Sequence, residues 1–168
     1  MFSQPYEIVM CGKGGNGGGA VNQTFGGNGG GALTGYKKLY IEASDVWTAV
    51  FSAASGGTCS FANIANTLQA QNGYNSVTDA KDSATAGGSS HAGFDRVVAG
   101  KYGGINTNDG LAFGGDSELG IGGENGKFLN TNNGGNGKGY GSGGGSGYVI
   151  TVTGIGGTGA PAVIIIRG

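Results

Sequence analysis

Three glycines near the N-terminus have the spacing of a dinucleotide-binding site. The pattern GxGxxG occupies positions 12–17, directly after an apolar run that ends at Cys11, and Glu42 follows a second apolar run. In such a site the pyrophosphate binds at the N-terminus of a helix that begins at the glycines. Here positions 18–19 are also glycine, and each glycine costs a helix about 1 kcal/mol relative to alanine. The residues therefore predict no dinucleotide site, and Lys13 does not complete a P-loop because no Gly-Lys-Ser/Thr follows.

The other residues able to do acid–base or metal chemistry are isolated. The only histidine is His91, in a Gly-Gly-Ser-Ser-His stretch with no identifiable nucleophile or base around it. The segments 108–110 and 115–116 carry aspartates that could bind calcium, but they match neither an EF-hand nor an RTX repeat. Turn formation explains them more simply. The sequence predicts a protein that is not an enzyme, with no catalytic residue, cofactor or metal site.

The two cysteines, Cys11 and Cys59, lie next to apolar runs. They form no Cys-x-x-Cys motif, and a single histidine cannot complete a zinc site. The pattern favours two reduced, buried thiols, which behave as small apolar residues. A disulfide between them is the alternative.

The composition excludes several classes of protein. Of 168 residues 42 are glycine and two are proline, without the Gly-X-Y period of collagen. Charged residues make up 11% with a net charge of −1, so no basic stripe is available to bind nucleic acid. No segment is apolar enough to insert in a membrane, and the start at Met1 resembles no signal peptide. We expect synthesis in the cytoplasm.

Short β-branched and aromatic runs predict an all-β fold of one glycine-rich domain over residues 1–168. Such runs are typical of strands and not of flexible Gly/Ser linkers; they are 6–10, 39–41, 47–51, 148–152 and 163–166. We expect the terminal strands, Glu7–Met10 and Val163–Ile166, to pair and form a β base. The glycine blocks would then project together from one side.

The glycine-rich segments are repeated. The block Gly-Gly-Asn-Gly-Gly-Gly-Ala occurs at 14–20 and again at 26–32, with a looser copy at 134–139. Glycines three apart suit a polyglycine-II helix, which has three residues per turn and must pair its backbone groups with neighbouring segments. Glycine allows the close approach that this pairing requires. The blocks predict either a bundle of polyglycine-II helices or a set of tight glycine turns.

Two regions give weaker signals. Residues 60–71 are the best helix candidate, with Ile64, Leu68 and Gln71 at roughly helical spacing, although an irregular excursion fits equally well. Residues 100–133 mix glycine, asparagine and aspartate with isolated apolar side chains. This region either forms loops pinned by those side chains or exposes them to a ligand; they are Tyr102, Ile105, Leu111, Phe113, Leu119, Ile121 and Phe128.

The order of these motifs resembles the glycine-rich domain of bacteriophage tail fibres. That family begins with a short apolar strand running into Gly-x-Gly-Gly-x-Gly-Gly, matched by 7–18, followed by a second glycine block. It closes with Gly-Tyr-Gly-x-Gly-Gly-Gly, matched by 139–145, and with Gly-x-Pro-Ala and a terminal strand, matched by 159–167. The resemblance covers both ends of the chain, while 88–133 has no counterpart in the family.

The resemblance implies a viral structural protein of the virion: a tail-fibre or adhesin-tip component for host attachment. The implied partners are further copies in a homotrimer, other fibre proteins and a bacterial surface receptor. Receptor-contact candidates are the aromatics of unmatched or loop-like stretches, Tyr74, Tyr102, Phe113 and Phe128. The alternatives are a purely structural virion subunit, such as a head fibre, decoration or connector, and, more remotely, a polyglycine-II ice-binding protein.

Overall fold

The computed structural model describes residues 5–22, 25–80, 83–106, 112–127, 131–149 and 152–168. All regular secondary structure in these residues is β, which confirms the predicted all-β class. The strands are β1 (Pro5–Cys11), β2 (Thr34–Tyr40), β3 (Thr48–Val50), β4 (Thr58–Ala62), β5 (Thr67–Gln71), β6 (His91–Ala92), β7 (Arg96–Val98), β8 (Gly120–Ile121), β9 (Lys138–Gly139) and β10 (Val163–Arg167).

Two antiparallel sheets form the β base. One has the strand order β10-β1-β2-β7 and the other the order β3-β4-β5-β6, while β8 and β9 form a separate short pair. The predicted pairing of the chain ends is confirmed, because β1 lies antiparallel to β10 with Glu7 opposite Arg167 and Met10 opposite Ile164. An ion pair of 3.5 Å between Glu7 Oε2 and Arg167 Nη1 lies at the start of this ladder.

The apolar core fills the space between the two sheets. Its buried members are Ile8, Met10, Leu33, Cys59, Phe61, Leu68 and Ala70. Side chains at alternate positions of a strand share one face, which is why Ile8 and Met10 of β1 and Leu68 and Ala70 of β5 enter the same core. Trp47 stacks on Phe61 with ring centroids 4.6 Å apart and covers one side of it.

Residues 60–71, the best helix candidate in the sequence, form neither a helix nor an irregular excursion, because most of this stretch belongs to the β4–β5 hairpin. Phe61 lies opposite Leu68 and Cys59 opposite Ala70, both pairs facing the core. Ile64, which helical spacing placed with Leu68, is instead exposed at the turn. The turn is closed by Asn63, whose Oδ1 accepts hydrogen bonds from the N–H groups of Ala65 and Asn66.

The glycine-rich segments leave the base at a common end. β1 and β7 run into segments 12–20 and 99–106, whereas β2 and β10 follow segments 25–33 and 153–161. Because neighbouring strands of this sheet are antiparallel, the end of β1 lies beside the starts of β2 and β10. The glycine-rich segments therefore meet one another immediately beyond the sheet.

Segment 12–20 shows how these segments bond. Backbone N–H groups at positions 12, 15 and 18 donate to segment 25–33, and those at 14, 17 and 20 donate to segment 153–161. The N–H groups of Lys13 and Asn16 donate to the side-chain oxygens of Asn72 and Asn75, at 2.8 Å each. Every third residue thus faces the same neighbour, and three neighbours share the backbone groups of one segment.

The glycines of the repeated blocks are needed for close approach. A Cβ added to Gly14, Gly17 or Gly30 would overlap a carbonyl oxygen of the adjoining segment. Among the described glycines, positive φ angles occur at 56, 93, 139 and 141, outside the two repeated blocks. The blocks are therefore closely packed, extended segments rather than runs of tight turns, whereas the polyglycine-II helix itself stays a prediction.

Buried asparagines complete the backbone pairing. Asn28 donates from Nδ2 to the Gly104 carbonyl oxygen at 2.7 Å and accepts the Ser146 N–H on Oδ1 at 2.9 Å. Asn106 Nδ2 donates to the Gly26 carbonyl oxygen and to Ser146 Oγ, both at 2.8 Å. These side chains satisfy backbone groups that would otherwise be buried without partners.

Candidate binding surface

Two of the predicted contact residues, Tyr102 and Phe113, come together on adjacent segments. Segments 99–106 and 112–117 run antiparallel, with hydrogen bonds of 2.9 Å from Lys101 N to Asp116 O and from Gly104 N to Phe113 O. Both aromatic side chains line an open groove of about 590 Å³. Tyr102 is 66% exposed and Phe113 is 39% exposed, so both rings are accessible to a ligand.

The groove is mainly apolar and has one ion pair at its rim. Ile105 and Ile121 extend the apolar surface and are 47% and 70% exposed. Lys101 Nζ lies 2.8 Å from Asp116 Oδ2. Partial burial raises the pKa of Asp116. Hydrogen bonds from Lys101 and from the Gly122 N–H together lower the pKa by more than burial raises it, so the pKa of Asp116 lies below its ordinary value. The carboxylate therefore stays charged at neutral pH.

The floor of the groove is glycine backbone held by the segments behind it. Gly114 donates its N–H to the Gly123 carbonyl oxygen at 2.9 Å, and Gly115 donates to Gly29 at 2.8 Å. A Cβ on either residue would overlap a neighbouring carbonyl oxygen. The exposed aromatic rings thus stand on a closely packed support, which limits the conformational freedom lost when a ligand binds.

The other two predicted contact residues do not join this groove. Tyr74 lies on segment 71–79, where its hydroxyl accepts a hydrogen bond of 3.0 Å from Gln71 Nε2. Its ring packs over Gly56, leaving no room there for a Cβ. Tyr74 therefore anchors the turn that precedes β4, while Phe128 lies outside the described residues.

Ile105 and Ile121 are groove residues that sequence reasoning did not select. Both belong to the scattered apolar side chains of 100–133, but nothing in their local sequence separates them from buried anchors. Ile105 lies three residues after Tyr102 on the same segment, whereas Ile121 joins the groove only through the packing of segments distant in sequence. Aromatic type was the one usable signal, and it identified Tyr102 and Phe113.

The residues considered for other chemistry have structural roles in the described part of the chain. The GxGxxG glycines at 12–17 pack against neighbouring backbones, without a helix N-terminus beside them. His91 is exposed on β6, and its Nδ1 lies 3.3 Å from the Ser89 carbonyl oxygen. Cys11 and Cys59 are free, buried thiols. Among the residues that the structure describes, no group of three His, Cys, Asp or Glu side chains could hold a metal.

No protein-family model matches the chain, and no curated protein matches it. Within the described ranges there is no helix with the length and hydrophobicity needed to cross a membrane. The resemblance to tail-fibre glycine-rich domains therefore stays a prediction, and the function below is argued from the geometry.

Proposed function

We propose that this protein is a non-enzymatic virion component of a bacteriophage, acting at a tail-fibre tip in attachment to the host surface. The observation that carries the proposal is the pair of exposed aromatics, Tyr102 and Phe113, on one groove above tightly packed glycine segments. Exposed aromatic side chains are enriched where proteins bind partners, because they bury much apolar area for few rotatable bonds. The motif order supports the placement in a phage fibre.

The shape of the groove favours a protein ligand. Tyr102, Ile105, Phe113 and Ile121 form an apolar surface, with the Lys101–Asp116 pair at the rim. An apolar centre with a polar rim is the usual anatomy of a protein–protein interface. We propose that the receptor is an exposed loop of a bacterial surface protein whose apolar residue enters the groove.

Binding of labelled protein to intact bacteria tests the proposal. We expect saturable, strain-specific binding that unlabelled protein displaces, and at least tenfold weaker binding by the double variant Tyr102→Ala/Phe113→Ala. Tyr40→Ala is the matched control, because Tyr40 is 62% exposed but lies on β2, at the end of the strand far from the glycine segments. This variant should bind like the wild type.

A folded sample that binds no strain would contradict attachment and favour a purely structural virion subunit. Equal loss of binding in the double variant and in Tyr40→Ala would also contradict the groove as the contact site. Far-UV circular dichroism and urea unfolding of each variant establish that it is folded before binding is compared.

A further inference from the structure

One side of the β base ends in two open edges. In the described chain β10 pairs only with β1, and β3 pairs only with β4. Alternate residues of an edge strand turn their N–H and C=O groups away from the sheet, where another strand can bind them. Residues 51–53, which follow β3, and residues 159, 161 and 162, which precede β10, line a common groove of about 410 Å³. The groove therefore lies between the chain that leaves one open edge strand and the chain that enters the other.

The apolar core is incompletely covered on this side. Ile166 lies opposite Ile8 of β1, and Ile8 belongs to the core, so Ile166 faces the core side of the sheet. It is nevertheless 48% exposed, and Val50 and Phe51 beside the other edge are 53% and 52% exposed. An additional strand at β10 would cover these side chains.

The walls of the groove are fixed by hydrogen bonds. Asn72 Nδ2 donates to the carbonyl oxygens of Ser52 and Ala54, at 2.9 Å each, and its Oδ1 accepts the Lys13 N–H. On the opposite wall the Pro161 carbonyl oxygen accepts the Gly141 N–H at 2.9 Å. A groove already ordered in the free protein loses little entropy when a partner binds.

Among the described residues that line the groove, Lys13 carries the one charged side chain. The ion pairs within the described part of the chain are Lys37–Asp95, Arg96–Glu118, Lys101–Asp116 and Arg167–Glu7. None of them involves Lys13, so its ammonium can pair with a carboxylate from a partner. Lys13 lies at the end of the groove nearest the start of β10. The charge of Lys13 favours a partner with a carboxylate, and the position of Lys13 indicates that this carboxylate should lie near the start of β10.

We propose that this side of the base is a docking site for an extended segment of another polypeptide, which adds as an antiparallel strand to β10. Its alternate residues are apolar and face Phe51 and Ile166, and a carboxylate near its C-terminal end pairs with Lys13. Strand addition of this kind combines main-chain hydrogen bonds with side-chain pockets. The proposal rests on the open edges and is independent of the receptor groove.

A second copy of the chain fits this site less well. If β10 paired with β10 of a partner about Ile165, Arg167 of that copy would lie opposite Val163. This arrangement would bring a second cation toward Lys13 instead of a carboxylate. Charge therefore favours a different polypeptide as the occupant.

A charge-swap experiment with synthetic peptides tests the proposal. The probe is the amidated peptide Thr-Val-Thr-Val-Thr-Val-Asp, whose antiparallel addition puts its aspartate beside Lys13. In an NMR titration we expect saturable shifts of the amides of 51–53 and 162–167. Lys13→Glu should weaken binding at least tenfold, and a peptide ending in Lys should then bind Lys13→Glu better than it binds the wild type.

Lys138→Glu is the matched control, since it changes the net charge equally at an exposed site on β9; it should leave peptide binding unchanged. The absence of saturable binding, shifts confined to other residues, or affinities that ignore the charge swap would each overturn the proposal. Sedimentation showing a dimer with the outer β10 amides protected would also overturn it, because a second copy would then occupy the edge.

Discussion

At the residue scale, the glycines of the repeated blocks act through the side chain they lack. Gly30 lies in segment 25–33, where an added Cβ would overlap the carbonyl oxygen of Ala86. Gly104, on segment 99–106, differs because its added Cβ would meet first the Ala112 side chain, at 3.0 Å. At Gly30 the added Cβ would overlap main chain deeply, whereas at Gly104 the contact of 3.0 Å needs a shift of only a few tenths of an ångström. Gly30 and Gly104 should therefore differ in how well they tolerate substitution by a residue with a Cβ.

We expect Gly30→Ala to destabilise the protein by more than about 3 kcal/mol, since the clash must displace hydrogen-bonded backbone. Gly104→Ala should change the free energy of unfolding by less than about 1 kcal/mol, because reduced freedom of the unfolded chain offsets the mild crowding. Urea unfolding of both variants measures the difference. Similar losses at the two positions would show that backbone overlap is not the reason for glycine at Gly30.

Cys11 and Cys59 are buried groups at this scale, and the ordinary pKa of a thiol lies in the mildly alkaline range. Burial raises the pKa of Cys11, and the hydrogen bond from Thr34 Oγ1 to its sulfur, 3.2 Å long, offsets only part of this. Burial also raises the pKa of Cys59, whose thiol donates to Asn72 Oδ1 at 3.2 Å. Both residues are therefore held as neutral thiols in the folded protein.

Raised thiol pKa values predict a loss of stability in alkali. Below the ordinary thiol pKa both states carry the proton and the contribution is complete; above it the unfolded chain releases protons that the folded chain retains. We expect the free energy of unfolding to fall between about pH 8 and pH 10. The fall should be smaller in Cys11→Ala/Cys59→Ala, measured by urea unfolding at each pH. An identical pH slope in the two proteins would contradict this assignment, since the two proteins differ in no other ionisable group.

At the element scale, a strand could be predicted from the sequence where its apolar side chains alternate between the core and the opposite face of the sheet. β1 and β10 are rich in β-branched residues. Pairing the two strands buries apolar side chains of both, which is why their pairing could be predicted. The β4–β5 hairpin was not foreseen, because the spacing of Ile64 and Leu68 also suits a helix. The choice between a helix and a hairpin depends on the cross-strand pairing of Phe61 with Leu68, and no local sequence pattern displays that pairing.

The pairing of glycine segments could not be predicted. Identical blocks at 14–20 and 26–32 carry no side chains that distinguish one neighbour from another. Their register depends on the strand ladders from which they continue and on asparagines placed between glycines. The side chain of Asn28 joins segments that are distant in sequence, and no local pattern displays those partners.

Asn28 provides a test of how the glycine segments are held together. Its buried side chain joins its own segment, 25–33, to segments 99–106 and 141–148. Asn28→Ala would leave the Gly104 carbonyl oxygen and the Ser146 N–H buried without these partners. Each lost partner costs about 1–3 kcal/mol, so we expect a total loss of about 2 kcal/mol or more. Asn66→Ala, at the exposed β4–β5 turn, should cost less than about 1 kcal/mol. If urea unfolding gives equal losses, the asparagine does not hold the segments together.

At the scale of the whole molecule, the chain passes repeatedly between the β base and the glycine segments. β1, β5 and β7 lead into them, and β2, β6 and β10 follow them. The candidate groove belongs to this scale too, because Tyr102 and Phe113 meet Ile121 only once several segments have packed. Residue type could therefore nominate the aromatics, but not the surface they form.

This interleaving predicts that the base and the glycine segments unfold together. Removing one segment leaves the strands on either side without their connection and exposes backbone groups of its neighbours, so neither part has an independent stable state. Trp47, the only tryptophan, reports on the base through its stacking on Phe61. The amide resonances of Gly30 and Gly144 report on the glycine segments. In urea we expect both probes to give one midpoint and one slope.

Two variants make this test stringent. Gly104→Ala and Asn28→Ala alter only the glycine segments, yet each should shift the Trp47 fluorescence transition by the same free energy as the glycine amide transition. This equality follows because a two-state protein has a single free energy of unfolding, whichever part is observed. If Asn28→Ala moved the glycine amides to lower urea and left the Trp47 transition in place, the β base would be an independent folding unit. The glycine segments would then be an attachment to it, and Tyr102 and Phe113 could lose their groove while the base stayed intact.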